Sequence, residues 1–394
     1  MRILFLSFYY QPDLSAGSFR NKALIESLKN QLPTGSVVDV LTTLPSRYAS
    51  FSVDAPQYEE SDGIRIHRIE LPDHNSGMLD QSRAFISYAK EVIRFTGAKD
   101  YDLVYASSSR LMTAALGSFI ARKKRLPLYL DIRDIFVDTI KDVLPSKLVW
   151  VFKPIFSIIE RWSVKRAHKI NLVSGGFREY FELRYPDKHF SYFTNGIDDE
   201  FIEAQPEIDA VSASGVPEVV YAGNFGEGQG LHSIIPQLAK HFEGQLMFKL
   251  LGDGGRKSQL ESALRDHNVT NVELLSPVNR SSLIEIYRKA DILFLHLNNY
   301  DAFLKVLPSK IFEYAAVGKP IWAGVSGFSA KFLQDNVSNS AVFHPCDVKQ
   351  AINSFNKLSL VTSPRVEFVK TFSRKTIMDD MATDILGALE SNQS

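Results

Sequence analysis

Cysteine is almost missing from this chain. A single residue, Cys346, among 394 rules out a disulfide within the chain and fits a reducing cytoplasm. It follows His344-Pro345 in a stretch read as a loop, where a lone thiol is expected to be inert. A charge excess is missing too. The 45 Lys and Arg balance 45 Asp and Glu, so no field of one sign argues for nucleic acid, and none is expected as a partner. No apolar run reaches the ~18 residues that a membrane-spanning helix needs. The opening "MRILFLSFYY" is apolar but short, is broken by Ser7, and runs into Gln11-Pro12-Asp13 rather than a small-residue cleavage site. It reads as a buried first strand, not a signal peptide. The nine histidines have no metal-ligand spacing; His67, in "IRIHRI", reads as a partly exposed strand residue.

What is present is ordinary globular composition, 45% hydrophobic and 23% charged, over a length that suggests two domains with a core each. Short apolar runs alternate with longer helical patterns. Residues 2–10, 37–43, 64–71, 102–108 and 126–132 read as strands, with helical patterns at 20–30, 81–96 and 111–124. The alternation resumes with strands at 218–225, 246–253, 271–277, 290–297 and 319–325, and helices at 230–241, 255–267, 280–289 and 308–317. Such alternation implies an α/β fold whose parallel sheets are covered on both faces. Two Rossmann-like domains are expected, 1–200 and 201–372, joined near "TNGIDDEF", where Asn-Gly marks a turn. The polar stretch 207–218 reads as a loop. The last helix, within 373–394, has no strand after it and is left to pack back on the N-terminal domain.

The stretch "LPSKIFEYAAVGKPI", Leu307 to Ile321, is the most suggestive. In open parallel sheets ligands bind beyond the carboxyl ends of the strands, where helix N-termini present free N–H groups to an anion. Pro308 suits a first turn and Ser309 can cap it. At 100° per residue Lys310, Glu313, Tyr314 and Val317 share one side, and Ile311, Phe312, Ala315 and Ala316 occupy the other. Lysine supplies a point charge for phosphate, and a carboxylate accepts two hydroxyl hydrogens of a ribose. A nucleoside diphosphate would use both; the plainer alternative is a helical ion pair worth ~0.3 kcal/mol. Two glycine-rich turns, "YAGNFGEGQGL" with Gly223 and "LLGDGG" with Gly252, follow strands of the same domain and let backbone approach an anion. Arg256 and Lys257 open the next helix.

These motifs, with "SFYYQPDLSAGSFR", "YLDIRDIF", "TNGID" and "YRKADILFL", give the chain a resemblance that runs through nearly its whole length. It resembles the GT-B retaining glycosyltransferases of family four, most closely the branch of bacterial O-antigen and capsule enzymes. The resemblance implies two Rossmann-like domains with parallel sheets facing across a cleft, a nucleotide-sugar donor held by the C-terminal domain, and a glycan or polyprenyl-diphosphate-linked acceptor on the N-terminal one. UDP is the expected nucleotide. Glu313 matches the second acid of the family's E-x-x-x-x-x-x-x-E motif and would hold the ribose, with backbone around Leu307–Ser309 on the diphosphate. The first acid of that motif falls on Lys305, a departure. The Arg and Lys that relatives place on the diphosphate correspond to Asn224 and Gln229, so the countercharge falls to Lys310, Arg256 or Lys257, with Lys310 favoured. Gly17 would meet donor phosphate. Arg133 could touch phosphate or acceptor, and Asp131 or Asp134 orient a hydroxyl; alternatively an Asp–Arg pair fixes that loop. Arg133, Asp134 and Lys310 are thus the expected catalytic residues.

No cofactor or metal is expected. "DYD" at Asp100–Asp102 looks like the metal-binding D-x-D of the other large glycosyltransferase fold, but it precedes a strand, the wrong end for this sheet, and reads as a turn. Residues 146–169 mix large apolar side chains with seven Lys, Arg and His against Glu160 alone. Two readings stand: a peripheral helix on the anionic inner face of the plasma membrane, or a helix whose apolar face fills the core. A nucleotide-sugar 2-epimerase shares the double-Rossmann plan but needs cleft acids and histidines not found here. A sugar-nucleotide-binding partner without turnover is the non-enzymatic alternative.

Overall fold

The computed structural model describes every residue except 14, 46–53, 73–77, 109, 144–145, 205–214 and 391–394. Most of the polar stretch 207–218 therefore lies outside the described residues. The chain divides into two compact units, Met1–Asn195 with the returning segment from Arg374, and Gly196–Ser373.

The first unit is built on eight strands: β1 (Arg2–Leu6), β2 (Val37–Thr43), β3 (Tyr58–Ser61), β4 (Ile64–Ile69), β5 (Leu103–Ser108), β6 (Leu128–Ile132), β7 (Lys169–Leu172) and β8 (Phe190–Ser191). They are ordered β3-β4-β2-β1-β5-β6-β7-β8, parallel throughout except for the β3–β4 hairpin. The apolar alternation of β1, β5 and β6 sends Ile3, Phe5, Tyr105 and Tyr129 to one face. There they pack on Leu24, Ile25 and Leu28 of the Ala16–Gln31 helix and on Met378, Met381 and Ile385 of the Arg374–Glu390 helix. Phe5 and Tyr105 stack with ring centroids 4.2 Å apart. Side chains of this size contribute ~1.5–3 kcal/mol each when fully buried, which is what anchors the last helix to this unit. Past the apolar layer the same face turns polar. In register, Ser107 lies beside Asp131 and Asp131 beside Asn171.

The second unit carries six parallel strands: β9 (Glu218–Ala222), β10 (Met247–Leu251), β11 (Val272–Leu275), β12 (Ile292–His296), β13 (Ile321–Gly324) and β14 (Ser340–Phe343), ordered β11-β10-β9-β12-β13-β14. Successive residues face opposite cores. Val220, Leu293 and Ile321 meet Ile311, Phe312 and Tyr314, while Val219, Phe294 and Trp322 meet Ile234, Leu238 and Phe248. Both faces are covered, as continuous apolar strands require.

Several expectations shift. The first strand ends at Leu6, not Tyr10, and the helix after Leu307 begins at Lys310. Pro308 thus precedes the helix, and Ser309 is its first-turn boundary without a side-chain cap bond. Tyr314 and Val317 are fully buried, so only Lys310 and Glu313 of the supposed polar side reach the surface. The helix is apolar nearly all round because the sheet, the Arg280–Lys289 helix and Phe368 enclose it. The basic stretch 146–169 is a helix only to Arg166; Lys169 already belongs to β7.

Candidate functional site

The carboxyl ends of β9 and β10 are joined backbone to backbone. Gly223 N–H donates to Leu251 O (2.8 Å), Phe225 N–H to Asp253 O (2.8 Å) and Arg256 N–H to Phe225 O (2.8 Å). A Cβ on Gly252 would fall 1.8 Å from Gly223 O, so the two turns approach this closely only because Gly252 lacks a side chain. On its other side Gly223 faces the first turn of the Lys310–Val317 helix. A Cβ there would come 2.5 Å from Lys310 Nζ and 3.1 Å from the Tyr221 hydroxyl. The Lys310 ammonium also lies 5.8 Å from the Tyr221 ring centre, and Tyr221 donates to Asn224 O (2.8 Å). Gly223, Asn224, Gly252 and Lys310 are therefore brought together where helix N–H groups and a cation converge.

Leu307 is buried and anchors the approach to that helix, and Ser309 is partly exposed at its mouth. Glu313 stands one turn further along, partly exposed, in the field of Arg280. Burial alone would lower the Arg280 pKa. Asp198, Glu313 and Glu200 outweigh it and hold the guanidinium above its ordinary range. Arg280 pairs with Asp198 and Glu200 and lies 4.9 Å from the Phe201 ring centre. Arg256 is engaged elsewhere: it pairs with Glu227 at 2.5 Å and with Gln259 at 2.9 Å. Lys257 begins the Lys257–Asp266 helix.

In the first unit the loop after β1 ends at Ser15, whose hydroxyl accepts from Ser18 N–H and caps the Ala16–Gln31 helix. A Cβ on Gly17 would lie 3.3 Å from Arg133 Nη1, so Arg133 covers that first turn. Its Nη2 donates to Asn195 Oδ1 at 3.4 Å, while Nη1 is buried with no hydrogen-bond partner among the described residues. Burial, reinforced by Arg20 and Arg374 against the pull of Asp131, takes the Arg133 pKa down to about 10. Asp134 is exposed. Asp131, by contrast, is fully buried and does not orient a ligand hydroxyl. It accepts from Arg20 Nε (3.0 Å) and Nη2 (3.1 Å), Asn171 Nδ2 (2.7 Å) and Tyr105 OH (3.1 Å). Burial pushes its pKa up, but Arg20, Arg133 and these bonds bring it below the ordinary value. The buried Asp–Arg pair thus exists, with Arg20 rather than Arg133 as the partner.

Arg20 escaped the sequence reading although its spacing marks it: it precedes Leu24 and Leu28 by one and two helical repeats and shares their buried stripe. His296 and Asn298, at the end of β12, were also passed over. Both hold the turn that follows Gly226, as described below. Asp102 accepts from Arg2 N–H at 2.6 Å just before β5, tying the start of that strand to β1.

The two units match two family models. Residues 23–196 match the Glycosyl transferase 4-like domain, and residues 205–371 match Glycosyl transferases group 1. The chain belongs to the GT-B glycosyltransferases of the family-four type. A curated relative, the putative colanic acid biosynthesis glycosyl transferase WcaI of Escherichia coli (strain K12), is 30% identical over 100 residues, 25% of this chain and 24% of that one. The matched region therefore spans about a quarter of that relative's length. Among solved structures, Anabaena Alr3699/HepE in complex with UDP and glucose aligns over 98% of this chain and 99% of that chain, with a TM-score of 0.67 and 17% identity. WaaG, a glycosyltransferase involved in lipopolysaccharide biosynthesis, aligns over 99% and 98%, with a TM-score of 0.58 and 12% identity. These structural likenesses establish the α/β GT-B fold.

Proposed function

We propose that this chain transfers a sugar from a UDP-sugar to a glycan or polyprenyl-diphosphate-linked acceptor in surface polysaccharide synthesis, with retention at the anomeric carbon. The observation that carries this reading is the Lys310 ammonium seated against Gly223, at the mouth of a helix whose next turn presents Glu313. The diphosphate meets Lys310 and the backbone of Leu307–Ser309 and Gly223–Asn224; Glu313 accepts from the two ribose hydroxyls. UDP bound to Alr3699/HepE, a protein of the same fold, supports the choice of nucleotide.

As the C1–O bond to the phosphate breaks, negative charge grows on the leaving diphosphate and the sugar becomes oxocarbenium-like. A fixed cation and helix N–H groups stabilise that charge without reorganising. The acceptor hydroxyl attacks C1 on the same face and gives its proton to the departing phosphate oxygen, which keeps the configuration. With the countercharge drawn from Lys310 and the helix terminus, the proposed chemistry calls for no metal. Arg256, tied to Glu227, supports the turn rather than the phosphate. In the first unit Arg133 and Gly17 offer a place for the acceptor, with Asp134 at the exposed edge.

The lipid-linked acceptor is consistent with the Ser146–Arg166 helix. Trp150 (82% exposed), Pro154, Ile158 (68% exposed), Arg161 and Lys165 follow one another at helical spacing on its outer face, joined by Val151 and Ile155. Its one acid within the described side chains, Glu160, is turned inward to Tyr180 and Tyr185. An outer face with cations, large apolar groups and no carboxylate suits an anionic lipid surface. No helix among the described residues is long and apolar enough to cross a membrane. Flotation with anionic vesicles is expected to carry the chain, and Trp150→Ser with Ile158→Ser to reduce it; flotation indifferent to anionic lipid would contradict the contact. The donor is tested by thermal shift with UDP-, GDP- and dTDP-sugars, where UDP-sugars are expected to raise Tm as ln(1 + [L]/Kd). Stabilisation by none of the three would overturn the reading.

A further inference from the structure

The turn after Gly226 is held from beneath by the end of β12. Three consecutive carbonyls are each bound. Glu227 O accepts from Asn298 Nδ2 (2.9 Å), Gly228 O from Asn298 N–H (2.8 Å), and Gln229 O pairs with His296 Nδ1 (2.7 Å). Within the turn Gln229 N–H donates to Gly226 O and Gly230 N–H to Glu227 O (3.2 Å each), so the bonds from β12 brace a turn that is already closed on itself. The turn's own side chains then meet above, Asn224 Nδ2 donating to Gln229 Oε1 at 3.2 Å.

His296 is built into this arrangement on all sides. It is 1% exposed. Its Nε2 accepts from Cys346 N–H at 3.0 Å, so Nδ1 carries the proton and donates to Gln229 O. Charging the ring would set a second donor against the Cys346 N–H. Burial opposes that charge as well and takes the pKa down to about 4. The ring packs against Phe294 and Phe343, with centroids 6.1 and 6.0 Å away, and against Gly324, where a Cβ would come 2.2 Å from the imidazole. Cys346 thus contributes through its backbone N–H, which fixes the tautomer, while its Sγ lies 3.4 Å from Asn298 Oδ1.

We propose that His296 is a positioning residue for donor binding: a neutral imidazole that locks the Gly226–Gly230 turn, whose Gln229 side chain in turn holds Asn224 of the diphosphate site, with the Cys346 N–H selecting its tautomer. This rests on the donor site proposed above. An asparagine amide reproduces the position of Nδ1 and a glutamine amide that of Nε2. His296→Asn therefore keeps the donor to Gln229 O, and His296→Gln keeps the acceptor for Cys346. Both lose the ring, so the informative comparison is between the two variants.

The test is UDP titration by calorimetry on the full chain, with melting temperature, donor KM and kcat measured alongside. His296→Gln is expected to bind UDP ~5- to 10-fold more weakly than His296→Asn, the scale of one lost hydrogen bond. Donor KM should follow, with kcat within ~2-fold and the two melting temperatures alike. Equal UDP affinities, or losses that merely track Tm, would overturn the proposal. Lys310→Ala marks the donor site itself. If it weakens UDP while Asn and Gln agree, the positioning role alone fails; if it leaves UDP unchanged, the donor site fails and the role with it. Should both His296 variants fail to fold, Asn298→Ser removes the side-chain bond to Glu227 O, together with the contacts of Asn298 Oδ1 to Asn299 N–H and Cys346 Sγ, and keeps the backbone bond to Gly228 O. It is expected to cost ~3- to 10-fold in UDP affinity, and no loss would overturn the proposal.

Discussion

At the carboxyl ends of their strands the two units use charge in opposite ways. In the first, Asp131 is fully buried and spends its oxygens on Arg20, Asn171 and Tyr105. In the second, the strand ends carry glycine, and the charged groups Lys310 and Glu313 keep part of their surface. One rim closes on itself; the other seats Lys310 directly against a glycine turn. A buried, internally satisfied pair makes a scaffold, whereas a cation resting against a bare glycine turn is the arrangement proposed above to receive an anion.

Breaking the closed rim gives the largest expected effect. Asp131→Ala strands Arg20 in the core and should cost ~3–5 kcal/mol of stability, read by urea unfolding. A loss below ~1 kcal/mol would mean that the first unit does not depend on that pair. The open rim should respond in binding rather than stability. Glu313→Gln is expected to weaken UDP ~5- to 10-fold, leave Tm nearly unchanged, and shrink the preference for UDP over 2′-deoxy-UDP. A preference as large as before would remove Glu313 from the ribose.

The smallest effect concerns Glu160. Burial raises its pKa, while bonds from Tyr180 and Tyr185 pull the other way without cancelling the rise. The folded chain thus binds this proton more tightly than the unfolded chain. Its contribution to stability is fullest below the unfolded carboxyl's pKa and declines as pH rises through the raised folded value. Glu160→Gln should change stability at neutral pH by less than ~1 kcal/mol and flatten that decline. An unaltered pH profile of unfolding would contradict this.

The sequence pattern placed most long elements within a few residues, because helical and strand periodicities differ where apolar residues dominate. β3, β7, β8 and β14 escaped it; they are two to four residues long, and β3 (YEES) carries no apolar alternation. Gly223, Asn224, Gly252 and Lys310 were legible as motifs, since glycine turns and a Pro-Ser-Lys helix start announce themselves locally. The pairings of Arg20 and His296 were not, because their partners Asp131 and Gln229 lie 111 and 67 residues away; only the place of Arg20 on a buried stripe could be read locally. The burial of Tyr314 and Val317 was misjudged for a related reason: a helical wheel knows its own faces but not how many neighbours enclose it.

The central claim is that Lys310 and the turn at Gly223 grip a diphosphate. Titrating UDP, UMP and uridine into the native chain and into Lys310→Ala tests it directly. In the native chain UDP should bind at least ~10-fold more tightly than UMP, a step of about 1.4 kcal/mol. In the variant that gap should largely close while uridine is unaffected. A gap of the same size in both proteins would contradict the account.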